Sequence, residues 1–374
     1  MCVHTRAGKR SGKVGAKKPD RRIGPLSVEH ARSRSQESRL DSADCLKAER
    51  RWANHPVGMH MRTVDNQSAS VWEWLALPDH DLERSDLVAA NLCVARGIPR
   101  LADLDVVSRC RIVDDWTQQF ATDLPRMEQV FHRAPNRHKS DIRFFRVGML
   151  AGFIGSRLGI RYIESQRGVT SIAYTNPADL FLNGVIDTRR GTCGNMAALH
   201  VAMSRRLGWP VSLAVVSSHI ISRYDDGIVT HNIELSSVKD GTFASDDDGF
   251  YVKRFGLPER AIGCGSDLRR LTAREMLGVF IAQRARHFSD VGNSDRADAD
   301  YALSRVLFPQ YRKGYIRSMV PMLRRGARLF DHGETGHPDS VFRDFGQTFN
   351  TYSSLLTCAD ISVVSAGCAG VESQ

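Results

Sequence analysis

The sequence predicts an α+β fold: an antiparallel sheet packed on a helix that opens at Cys193, with helical regions on either side in the chain. Three observations predict it. Apolar residues recur at three- and four-residue intervals before and after the middle of the chain, the mark of amphipathic helices. Between these regions "VSLAVVSSHIISRY" and "IVTHNIELSS" alternate as half-buried strands do, with Asp226-Gly227 as a strong turn signal between them. Just ahead of the strands, "RRGTCGNMAALHVAMSRRLGWP" carries both the start and the stop of one helix.

The chain has 374 residues, 42% of them apolar, enough for one large domain or two modest ones. Residues 1–65 are rich in Arg, Ser and Lys without sustained periodicity and read as a basic, disordered arm, with a short helix near Ser42–Trp52. Eight Lys and Arg within residues 1–22, against Asp20 alone, give that stretch a net +7 of the total +10. Such an arm can touch phosphates, so nucleic acid is a candidate partner; a solvated tail is the plainer reading. Residues 66–160 form a helical N-terminal region. In it "DLVAANLCVARGIPRL" and "DVVSRCRIVDDWTQQFATDL" make two helices separated by Gly97 and Pro99, and a third runs from about Ser140 to Leu158. Residues 161–257 hold the Cys193 helix and the strands. Residues 258–330 turn helical again, through "TAREMLGVFIAQRARHF" and "DADYALSRVLFPQYRKGYIRSMVPMLRR", and residues 331–374 return to Gly, Ser and Asp as a loosely ordered tail.

No apolar run approaches the roughly 18 residues of a membrane span, and the basic N-terminus is not followed by the apolar block of a secretory signal. The expectation is a cytoplasmic chain with no membrane partner. The eight cysteines form no CxxC pair and no regular spacing, so they imply neither a disulfide framework nor a zinc site. Several are expected to be small buried hydrophobes. There is no HExxH, and "GCGSDL" lacks the context of a phosphate or dinucleotide loop, so neither metal nor cofactor is expected.

Thr192 is placed to cap the Cys193 helix, the stripe Met196, Leu199, Met203 and Leu207 to face a core, and Gly208 with Pro210 to end it. Cys193 therefore sits in the first turn, where unpaired N–H groups and the helix dipole favour a thiolate. It is either a small buried residue or a nucleophile, and the second reading needs a base. Arg189 and Arg190 either add positive potential or face solvent. His200 lies roughly 10.5 Å further along the axis, too far to serve, and reads as a packing residue. His219, on the strand that follows, is the better candidate. A two-residue turn at Asp226-Gly227 sets Asp225 opposite Ile228 and His219 opposite Glu234, which would then orient the imidazole. A slip of the register by two brings Asn232 opposite His219 instead, making it the second choice for the third position; His231 has the wrong parity. The backbone N–H of Cys193 is the natural oxyanion donor, with Asn183 and Asn176 as side-chain candidates.

"IDTRRGTCGNMAALHVAMSRRLGWPVSLAVVSSH" resembles the core of the transglutaminase-like superfamily, in which Arg-x-Gly-x-Cys opens a helix, Leu-Gly-x-Pro ends it and a strand carries the histidine. That family's third residue, usually Asp, follows the histidine by about fifteen positions; here Glu234 follows His219 by fifteen, without the customary Pro after it. A closer likeness is to bacterial SirB-type transglutaminase-like proteins. It covers roughly residues 81–325, through "LVAANLCVARGIPRLADLDVVSRCRIVDDWTQQFA", the loop "NPADLFLNGVIDTRRG" and the strand "SHIISR". The later "LTAREMLGVFIAQRARHFSDVGNSDRADADYALSRVLFP" is similar to one degenerate tetratricopeptide-type helix pair. The resemblance implies a papain-like core and cysteine-dependent acyl transfer on an amide or peptide, as a protease, amidase or transglutaminase, with Cys193, His219 and Glu234 in the three roles. Many SirB-like relatives lack the cysteine. The rival reading is therefore a non-catalytic interaction module that binds a protein or nucleic acid.

Overall fold

A computed structural model describes residues 70–319 apart from 170, 171, 218, 240, 241 and 313, together with 322, 343 and 347. The arm 1–65, the helix expected near Ser42–Trp52, the tail 331–374 apart from 343 and 347, and Cys2, Cys45, Cys358 and Cys368 lie outside the described residues.

Short polar residues start the helices of the first half. Glu73 accepts from the Ser70 N–H ahead of α1 (Val71–Ala76), and α2 spans Asp79–Arg84. Asp86 caps α3 (Leu87–Arg96), Asp105 caps α4 (Val106–Arg133) and Asp141 caps α5 (Ile142–Ser156), each carboxylate accepting first-turn N–H groups. Helix α3 is buried on every side from Leu87 to Ala95, which explains its continuous apolar run. Helix α4 continues through Pro125 to Arg133, well past the Leu124 where its sequence signal fades. The helix expected near Ser140–Leu158 is α5.

Strand β1 (Arg161–Tyr162) pairs in parallel with β2 (Arg190–Gly191), bracketing α6 (Leu182–Thr188). Next come α7 (Cys193–Arg206) and a four-stranded antiparallel sheet of β3 (Val211–Val216), β4 (His219–Asp225), β5 (Thr230–Lys239) and β6 (Thr242–Ala244), adjacent in chain order. On α7, Met196, Leu199 and Met203 are fully buried, each stabilising the fold by about 1.5–3 kcal/mol, while Leu207 is half-buried. One face of the sheet, with Leu213, Val215, Tyr224 and Ile233, joins the main core beside α7; the other, with Ala214, Val216 and Ile221, packs on Tyr251, Leu257 and Leu268. Tyr251 lies on α8 (Asp248–Phe255), Leu257 just after it and Leu268 beyond α9 (Glu259–Gly263).

Two details of the strands differ from expectation. The stretch 211–224 is a hairpin, not one strand: Val216 pairs with His219, and Ser217 takes φ +53° while its N–H donates to the buried carboxylate of Asp267. In the second hairpin Asp225 faces Thr230, not Ile228, so the connection has four residues, 226–229. Asp226 explains the longer loop. Its Oδ1 accepts from the N–H groups of Ile228 and Val229, both at 2.9 Å, while Oδ2 meets Arg143 and the Tyr224 hydroxyl, both at 3.1 Å. Continued along the ladder, this register sets Glu234 opposite Ile221, one diagonal step from His219 and still on its face.

Helices α10 (Ala273–Asp290) and α11 (Ser294–Leu307) lie antiparallel, joined where buried Arg284 forks onto Asp300 with two hydrogen bonds of 2.7 Å. The same guanidinium donates to Val94 O at 3.1 Å, tying the pair to α3. Residues 314–319 are helical too. No helix among the described residues is long and apolar enough to cross a membrane.

Candidate active site

The turn before α7 is built for close approach. A Cβ on buried Gly191 would stand 2.7 Å from Asn195 Oδ1 and from Met196 Cγ and 2.8 Å from Val185 Cγ2, so a side chain there forces a shift. Asn195 Oδ1 accepts from the Thr192 N–H at 2.7 Å, and its Nδ2 donates to Ala178 O and Phe181 O. The Thr192 hydroxyl donates to Asp179 O at 2.9 Å. The helix start is thus anchored by Asn195 reaching back, with Thr192 tied sideways to the preceding loop. Cys193 is the first helical residue and is half-buried.

The His219 imidazole, by its charge and hydrogen bonding, and the Ile220 N–H both act to stabilise the thiolate form of Cys193. Nε2 of His219 is hydrogen-bonded to Glu234 Oε2, which leaves Nδ1 to the sulfur. Glu234 Oε1 in turn accepts from the Ser236 N–H at 2.9 Å and from the Ser236 hydroxyl at 2.6 Å. Behind the imidazole the Phe255 ring is stacked at 5.8 Å between centroids, and Tyr251 is stacked on Phe255 at 6.3 Å. These rings fix the plane of the histidine while its two nitrogens face the sulfur and the carboxylate.

The electrostatics run against what burial alone imposes. Burial pushes the Cys193 thiol up, yet the charge and hydrogen bond of His219, with the Ile220 N–H, bring it below its ordinary value against the opposing charge of Glu234. Burial lowers the His219 imidazole, but Glu234 and the Cys193 thiolate raise it well above its usual range. For Glu234 the desolvation penalty is overcome by His219 and by the two Ser236 bonds, and the carboxyl lies below its ordinary value. All three shifts run in the same sense, each towards the charged form of its group: thiolate, imidazolium and carboxylate. Among the other cysteines burial dominates: it pushes Cys93 up to about 11 and Cys110 higher still. Tyr162 is raised to about 12 by burial and by the negative charge of Cys193. Tyr174 and Tyr311 are shifted upward as well, chiefly by burial, with the negative charge of Cys193 contributing.

Several side chains singled out in the sequence are engaged elsewhere. Asn232 faces Arg223 on β4 and bonds it at 2.8 Å, while its Nδ2 donates to Asp248 Oδ1 at 2.8 Å; its tie is to the start of α8, not to His219. The register slip went the other way, moving Asn232 farther from His219. Asn176 spends its amide on its own turn, accepting from the Ala178 N–H and donating to Asp179. Asn183 is buried on α6, and no hydrogen bond among the described residues links it or Asn176 to Cys193 or His219. Arg189 lies 4.1 Å over the Trp116 ring and Arg190 is exposed. His200 is a buried packing residue, hydrogen-bonded to Val147 O at 3.0 Å and to the Ser222 hydroxyl at 2.9 Å. His231, on the sheet face opposite Glu234, bonds Asp141 at 2.9 Å.

Sequence reasoning missed Ser236, Phe255 and the Ile220 N–H. Ser236 was detectable as a hydroxyl at i+2 on the Glu234 strand face; the other two depend on how β4 meets α7 and α8, which no local pattern encodes. Comparison of the chain with curated proteins and with solved structures yields no match. Residues 147–248, the stretch from α5 to the start of α8 that contains Cys193, His219 and Glu234, match the family model of the transglutaminase-like superfamily.

Proposed function

We propose that the chain performs cysteine-dependent acyl transfer on an amide or peptide substrate, with Cys193 as nucleophile, His219 as general acid and base, and Glu234 as the group that orients the imidazole. One observation carries the reading: His219, hydrogen-bonded through Nε2 to Glu234, and Cys193 at the helix start act on each other closely enough that the imidazole favours the thiolate against the effect of burial. The Cys193 thiolate attacks the carbonyl carbon, forming a C–S bond and a tetrahedral oxyanion next to the Cys193 N–H. As the C–N bond breaks, the His219 Nδ1 proton passes to the departing amine. Water or a second amine then attacks the thioester, gives its proton to His219 and restores the thiolate. Hydrolysis and amine transfer use the same three residues. The proposed setting is cytoplasmic, in keeping with four free cysteines among the described residues. The SirB-type likeness of the flanking helices and of the His strand supports treating residues 81–325 as one functional unit.

Alkylation by iodoacetamide at graded pH, read by mass at the Cys193 peptide, tests the reading. Cys193 in the unaltered chain is expected to react well below pH 8, and His219→Ala to lose that reactivity. An ordinary thiol profile in both proteins would instead favour a non-catalytic module that binds a protein or nucleic acid.

A further inference from the structure

We infer that Gln283, on α10, is the side-chain oxyanion donor of this site, an inference that rests on the acyl-transfer reading above. Gln283 is only 6% exposed, yet its Oε1 is buried with no hydrogen-bond partner among the described residues. A buried amide left unpaired costs about 1–3 kcal/mol for each orphaned group, and a Leu or Met of similar volume would carry no such penalty. The position of the amide nitrogen supplies the reason. It lies 2.5 Å from where a Cβ of Gly194 would stand, and Ile220 Cδ1 is 3.4 Å from the same point. Gly194 follows the nucleophile in the chain, and Ile220 is the residue whose backbone N–H helps stabilise its thiolate. The Gln283 amide nitrogen therefore rests between two immediate neighbours of the sulfur, in space that only a glycine at 194 leaves open.

The chemistry calls for a donor there. Attack by the Cys193 thiolate converts a planar carbonyl into a tetrahedral oxyanion whose charge develops beside the start of α7. A preorganised amide N–H in a largely dry site stabilises that charge without reorganising. Together with the Cys193 N–H, Gln283 gives the oxyanion two donors, one from the helix start and one from α10. Asn176 and Asn183, the candidates suggested by their closeness in sequence to the cysteine, are engaged or buried elsewhere. Gln283 comes from ninety residues beyond the cysteine, on a separate helix.

Two reactions of the same sulfur separate this role from a structural one. Iodoacetamide alkylates the thiolate by displacement at carbon and forms no oxyanion, whereas p-nitrophenyl acetate acylates it through a tetrahedral oxyanion. Gln283→Met keeps the volume and neutrality of the side chain and removes the donor, and Gly194→Ala pushes the amide aside. Both variants are expected to keep the alkylation rate and pH profile of the unaltered chain while the p-nitrophenolate burst slows by about 10²–10³-fold. Bursts within about threefold of the unaltered chain, with alkylation unchanged, would overturn the assignment. A parallel fall in alkylation and acylation would overturn it too, since that pattern marks a residue supporting the thiolate. If the unaltered chain gives no burst, the acyl-transfer reading fails, and the assignment with it.

Discussion

Glu234 reaches the His219 ring across a diagonal of the sheet, and one methylene decides whether the contact exists. The transglutaminase-like likeness makes Asp usual at this position; the register, with Glu234 continuing opposite Ile221, requires the longer side chain. Glu234→Asp is therefore expected to behave like a deletion of the carboxylate: both it and Glu234→Gln should slow ester acylation by at least about 10²-fold, measured by the burst with p-nitrophenyl acetate. Activity retained in Glu234→Asp would contradict the diagonal geometry. The spacing of fifteen residues made the pair legible in the sequence even though the turn that joins the strands was read two residues too short. Parity preserved the contact, because a shift of two leaves both side chains on one face. Phe255 and Gln283 were illegible for the opposite reason: nothing near them in the chain refers to the sulfur.

At the scale of elements, α7 does two jobs along its length. Its first turn presents the sulfur, and its middle is a wholly buried rod whose one imidazole is kept neutral. Burial holds His200 down at about 4, even though Val147 O accepts its Nε2 proton. The unfolded chain takes up that proton near pH 6.5, while the folded chain refuses it until about pH 4. The folded state therefore loses stability as pH falls from 6.5 towards 4, by about 3 kcal/mol in total from this residue. Denaturant titrations across that interval should show a clearly flatter slope in His200→Gln; an unchanged slope would mean that the ring is protonated in the fold. The helix itself was legible from end to end, since its stripe, its stop at Gly208 and Pro210 and its start at Thr192 all lie within one short stretch. The hairpin at Ser217 was not. No Gly, Asn or Pro announces it; the left-handed Ser217 is held by Asp267, fifty residues away in the chain.

For the molecule as a whole, the α+β class and the order of helical, central and helical regions follow from periodicity alone. The way distant parts close on the sulfur does not. Three elements converge there: the tip of α7, the paired strands β4 and β5, and the helix pair that carries Gln283. The arrangement depends on buried ionic links such as Arg284 with Asp300, which sequence spacing left anonymous. Convergence also makes the site's charge state a property of the fold, because the same thiol in a buried setting without His219 would be raised, as Cys93 and Cys110 are. The most direct test is the ultraviolet absorbance of the thiolate, titrated as the difference between the unaltered chain and Cys193→Ser, with Tyr162 held out of the range by its rise to about 12. A thiolate step below the ordinary cysteine value that moves upward in His219→Ala is the predicted result; a Cys193 step at or above that value in the unaltered chain would contradict the account.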